Sequence, residues 1–411
     1  LGAVAFGDGM AGVFAAMASL PLLIMAALFA KWAALTFGPS ALVLLAVLAV
    51  TTTALYRGEF FLRGLFAGVL GFLFAVAGDG GTAQGVMPAG IGLVPSLIGL
   101  LVIAPLILLT VRGNTAFDDA ARPAATGPGI FVEGLGLARG GEAPGLIALL
   151  ALGVPAGAAT AALFGYFQWS GFGPALAVGK AGGLSALMLA LAGGGAIAAL
   201  IGYCPYRPET LLRRLDIHFA VPLLMALALA ATYVSGGGAG GMVVAVAFGI
   251  LGYFMIKRHY SIATMAIALV LGNPAADSYH RAVEQLGGDM TALPSSSMLP
   301  VITLLIVVTL AAAAFNSHRQ VGDGPVVVEA QPGPAKLEYA ACIWACIAWL
   351  LVLVFGFLAA LPVYVFGYVH LRGRRPVIAG CVAALAVTLI VWAGFELVLG
   401  QPLYRGMVFD G

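Results

Sequence analysis

Few residues in this sequence could do chemistry, and the most suggestive surround one interruption. The apolar run from Leu149 to Phe167 contains Gly153-Val154-Pro155-Ala156-Gly157. Pro155 has no N–H and clashes with the preceding turn, while Gly153 and Gly157 tolerate non-helical dihedrals. The pattern predicts a helix that stops there and restarts after Gly157. A restart aims free N–H groups and a positive dipole end into the gap, which suits a carboxylate. The half-helix before the gap ends in exposed carbonyls, which suit Na⁺. Thr160 falls in the first turn after the gap and brings a hydroxyl. The candidate substrate-binding residues are therefore Gly153, Val154, Pro155, Ala156, Gly157 and Thr160. A merely kinked packing helix is the plainer alternative.

Other ionisable groups are sparse. Glu133 and Glu142 flank Arg139 ahead of the interruption and are candidate gate residues, with an interfacial loop as the alternative. Asp277, a third gate candidate, shares the spacing i, i+3, i+4, i+7 with His280, Arg281 and Glu284. On a helix this is one polar face, either solvated or closing the outward mouth of a site. Gly78-Asp79-Gly80-Gly81 resembles half of an aspartyl-protease site, but no second intramembrane acid pairs with Asp79, and acid–base work needs two carboxylates. Cys342 and Cys346 stand at i, i+4 without a His or further Cys to complete a metal-ligand set. No H-E-x-x-H or P-loop pattern occurs, so neither an enzyme nor an organic cofactor is expected.

These groups must be held by membrane helices. Of 411 residues, 62% are hydrophobic and 9% charged, with mean hydropathy +1.07. Soluble domains carry about 25% charged residues, so most of this chain belongs in lipid. The net charge of +2 says little about partners, and without a basic run with interleaved aromatics a nucleic-acid partner has no support. Apolar segments near bilayer length lie at Met10–Ala30, Ala41–Tyr56, Phe60–Ala77, Val94–Val111, Ala143–Phe167, Gly182–Tyr203, Ala220–Val234, Met242–Ile256 and Leu299–Phe315. Ser261–Leu271 is half that length. Two or three further spans follow in Tyr339–Val369 and Val377–Leu399, with Pro362 dividing the first ambiguously.

Charge sorts the loops. Arg57 and Arg63, Arg112 and Arg122, Arg207, Arg213 and Arg214, Lys257 and Arg258, Arg319, then Arg372, Arg374 and Arg375 mark one side, while 78–85 and 235–241 carry no Lys or Arg. The positive-inside rule makes the basic side cytoplasmic. Glycines such as Gly64 and Gly68 are spaced for close helix approach. The expected fold is all-α: a polytopic transmembrane protein with a broken helix or re-entrant element and about 10–12 spans. The expected organisation is a transport region 1–315, a polar linker 316–338 and a transmembrane tail 339–411.

The motifs, in order, resemble a family. Phe37-Gly38-Pro39, Gly71 and Leu93-Val94-Pro95-Ser96-Leu97-Ile98-Gly99-Leu100 are similar to the middle of the large membrane subunit of the tripartite tricarboxylate transporters. Leu152-Gly153-Val154-Pro155 with Thr160, then Gly171 and Gly173-Pro174, resemble its second L-G-I-P-G-S-A-T-T motif and the H-G-x-x-P-G-P stretch after it. Pro205-Tyr206-Arg207, Gly249-Ile250-Leu251-Gly252-Tyr253, Leu271-Gly272 and Gly288-Asp289 continue the likeness. Ala156-Gly157 stands where the family has Gly-Ser, Ala159 where it has the first Thr, and Ser170 where it has His. Phe395-Glu396, Leu399-Gly400-Gln401-Pro402-Leu403 and Gly406 resemble the end of the small membrane subunit, F-E-x-x-L-G-V-P-L-P-x-G, as in a fusion. The family's first half, with its own G-x-L-P-G-x-G break, is not found here, as expected for part of a longer protein.

The resemblance implies a multi-pass component of a bacterial inner-membrane secondary transporter. It implies uptake of small di- or tricarboxylates coupled to Na⁺ or H⁺, with a periplasmic solute-binding protein as partner. The substitutions in the broken segment leave a second reading open, a non-transporting membrane subunit with an assembly or regulatory role.

Overall fold

The computed structural model describes residues 39–56, 61–78, 92–112, 149, 155, 157–169, 217–285, 303–311 and 335–408. Among them there are helices and turns and no strand. In order these are α1 (Pro39–Tyr56), α2 (Phe61–Gly78), α3 (Leu93–Ile98), α4 (Ala104–Arg112), α5 (Ala158–Trp169), α6 (Ile217–Thr232), α7 (Gly238–Lys257), α8 (Ile262–Gln285), α9 (Ala335–Gly367) and α10 (Val377–Trp392). A π-helical turn, Gly99–Ile103, joins α3 to α4 without breaking the rod. Five stretches among the described residues are long and apolar enough to cross a membrane: Leu93–Val111, His218–Ser235, Gly238–Lys257, Leu337–Arg372 and Val377–Val398. The helices form two compact units.

The first unit holds α1, α2, α5 and α8. Its construction inverts that of a soluble protein. Along α2 the large residues Leu62, Phe66, Val69, Leu73 and Val76 face outward, while Gly64, Ala67, Gly68, Gly71 and Ala75 are buried. Lipid tails are as apolar as Leu, so burying Leu gains little in a bilayer, whereas small residues let backbones meet and gain dispersion contacts. Gly64 lies against Ala54, Gly68 against Val50 and Gly71 against the Met265 carbonyl. The spacing read from sequence is therefore a packing face. Tyr260 sits beside Phe66 and Gly272 beside Ala75, so α8 runs parallel to α2. The half-length segment expected at Ser261–Leu271 continues instead as a single helix to Gln285. Ser261 starts it, accepting from both the Thr264 N–H (3.2 Å) and hydroxyl (2.8 Å).

The second unit holds α3, α4, α6, α7, α9 and α10 around a core that includes Leu106, Leu229, Met242, Phe357 and Tyr368. Its α9 is a hairpin. Gly356 has φ 75° and ψ 172°, outside any helical conformation. Trp344 packs on Tyr364 and Tyr368, at ring-centroid distances of 6.0 and 5.3 Å. Trp344 and Tyr368 lie equally far in sequence from Gly356 on its two sides, so the arms run antiparallel. The first arm, 335–355, is about 30 Å long at 1.5 Å per residue, enough to cross a bilayer. The chain thus folds back at Gly356, while Pro362 lies within the returning arm.

Lys257, Arg372 and His218 of this unit lie at one end, whereas Arg405, beside Gly356, lies at the other. Lys257, in the last turn of α7, forms an ion pair with the buried Glu338, in the first turn of α9. Each charge sits at the helix end whose dipole favours it. Arg372 donates to the Thr110 carbonyl (3.1 Å) in the last turn of α4, serving a group the helix itself leaves open. His218, at the start of α6, packs beside Tyr368 (6.4 Å). At the opposite end Gly241 meets Pro95, and Tyr233 packs on Phe357 and Tyr404 (6.2 and 5.3 Å).

Candidate functional site

The interruption expected at Gly153–Gly157 is seen from its downstream side. Pro155 is buried and non-helical, Gly157 sits in a bend, and α5 begins at Ala158. Leu149, upstream, is helical and fully buried. The restart is tied by one side chain. The Gly157 N–H donates to the Thr160 hydroxyl (2.9 Å), and that hydroxyl donates to the Gly157 carbonyl (3.0 Å). The Ala161 N–H also donates to the Gly157 carbonyl (2.9 Å), closing the first turn. Thr160 is 3% exposed. The first-turn amides of a helix have no acceptor within it, so the start of α5 concentrates N–H groups and positive dipole where the sequence places the gap.

Gly157 and Thr160 are thus brought together, with the buried Pro155 just before them in the chain. Gly153, Val154, Ala156, Glu133 and Glu142 lie outside the described residues, as do Asp79 and the family-like stretch after Trp169. Asp277, His280, Arg281 and Glu284 do share one face of α8, and all four are exposed. Among the described residues no group of three or more His, Cys, Asp or Glu is placed to hold a metal ion.

The partner helix adds a feature that the sequence reading passed over. α5 packs against α8, and α8 carries Asn273-Pro274 within its length. The Asn273 side-chain oxygen is buried and accepts no hydrogen bond among the described residues. Proline within an apolar helix, next to an amide side chain, was the available signal. An amide oxygen without a donor suits a hard cation, and intramembrane polar groups mark ion and substrate pathways.

A protein-family model described as Tripartite tricarboxylate transporter TctA family matches residues 3–129 and 138–267. The matched ranges take in α1 through α7, including the α5 restart, and end within α8, before Asn273. No curated protein and no solved structure matches the chain.

Proposed function

Because the chain belongs to the tripartite tricarboxylate transporter TctA family, we propose that it takes up small di- or tricarboxylates across a bacterial inner membrane by symport with Na⁺ or H⁺. Membership makes it a membrane component of a tricarboxylate transporter. The substrate range, the ion and a periplasmic solute-binding protein that delivers the acid are the finer parts of the proposal. The observation that carries it is the start of α5 after Pro155 and Gly157, a helix N-terminus facing the interruption. Such ends bind anions because their amides lack internal acceptors. Asn273, on the helix packed against α5, is the candidate oxygen ligand for a coupling Na⁺. Residues 339–411 are proposed as a small-subunit-like tail joined to the transport region, on the motif from Phe395 to Gly406.

Reconstitution tests this directly. In proteoliposomes with its binding protein, the full-length protein is expected to accumulate labelled tricarboxylate under an imposed Na⁺ or H⁺ gradient. Gly157→Leu is expected to abolish accumulation while the protein still inserts into the membrane. Absence of uptake for every di- and tricarboxylate tried would overturn the reading, and normal uptake by Gly157→Leu would move the site elsewhere.

A further inference from the structure

The fold-back at Gly356 creates backbone groups that its own two arms do not satisfy. The last turn before it loses the amides its carbonyls would bond, and the first turn after it loses its carbonyls. Phe357 is fully buried, so its amide needs a protein partner. The partners come from the end of the chain. The Phe357 N–H donates to the Tyr404 carbonyl (3.0 Å), the Met407 N–H to the Leu353 carbonyl (3.2 Å) and the Val408 N–H to the Val354 carbonyl (3.2 Å). These three bonds serve both sides of the bend.

Side chains and glycines fix the same contact. Leu403 is 4% exposed and joins the core, and Phe357 is fully buried. Tyr233 packs on both Phe357 and Tyr404. Gly406, with φ 94°, lies directly on the Gly356 amide, and a Cβ on either glycine would strike the other strand's backbone. Both glycines therefore meet a steric demand as well as a conformational one. The Met407 side chain is exposed, so it contributes only its amide.

We propose that residues 401–408 are a clasp that locks the α9 hairpin closed at the end of this unit opposite Lys257 and Arg372. α10, continued by the π-helical turn Ala393–Val398, delivers the clasp to the bend: Gly400 follows in a positive-φ conformation (63°), and the Gln401 N–H closes back on the Phe395 carbonyl (2.9 Å). The segment whose motif resembles a small-subunit terminus is thus the lock of the hairpin before it. The inference rests on this contact alone and stands whether or not the chain transports carboxylates.

Hydrogen exchange on the full chain in lipid nanodiscs is the test. Peptides covering 353–358 and 404–408 are expected to exchange at least about tenfold more slowly than an unstructured chain. Gly406→Val is expected to remove that protection from both segments together. Met407→Pro deletes one donor and stiffens the backbone at 406–407, at a residue whose side chain is exposed, and is expected to speed exchange across 404–408 without unfolding the unit. Unprotected wild-type 404–408 would overturn the proposal, as would protection of 353–358 that neither variant alters.

Discussion

Thr160 was expected to offer its hydroxyl to a solute, and in the fold it bonds both main-chain groups of Gly157. Its bonds set the first turn of α5, and under the proposed function the amides of that turn are the groups that would meet the anion. Asn273 is the converse case, since its polar atom is buried and accepts nothing among the described residues. A buried polar group costs free energy unless something binds it, so the residue fits a role as an ion ligand. Asn273→Ala is expected to raise the Na⁺ concentration that half-saturates uptake. An unchanged Na⁺ dependence in proteoliposomes would remove it from the ion site. The sequence offered Asn273-Pro274 as a signal, but what each side chain meets depends on its surroundings in the fold.

At the scale of elements, small residues decide which helices touch. A methyl at Gly71 would run into the Met265 carbonyl and Ala268 on α8, contacts that helix movement alone can relieve. Gly71→Ala is therefore expected to cost about 1–3 kcal/mol despite its better helix propensity. Gly240, in α7, has nothing within reach of an added Cβ. There Gly240→Ala should stabilise by up to about 1 kcal/mol, the propensity difference alone. Thermal unfolding in detergent compares the two, and a Gly71→Ala protein as stable as wild type would refute the close approach of α2 and α8. The sequence showed which glycines were spaced for contact. It did not show which of them had a partner.

The second unit as a whole is polarised. Lys257, Glu338, Arg372 and His218 meet at one end, and Gly241, Tyr233, Gly356 and Tyr404 at the other. The positive-inside rule assigns the first end to the cytoplasm. With the four native cysteines replaced, Cys introduced at Arg374 and at Gln401 should react with an impermeant thiol reagent from opposite sides of oriented vesicles. Labelling of both from one side would contradict the crossing of the membrane by Val377–Val398.

Composition and hydropathy were enough to determine the class and the extents of most of the described helices. A bilayer enforces these locally: each span must be apolar and must satisfy its own backbone, and each cation must stay at an interface. The order of motifs was enough for the family. What only the tertiary structure decided is where α9 turns. Sequence directed attention to Pro362, but a proline within an apolar helix is tolerated when neighbours serve the freed carbonyl. Gly356 gave no such warning, because the backbone groups that its fold-back opens are answered from a distant part of the chain. Residues 404–408 supply that answer, and no local pattern around Gly356 contains them.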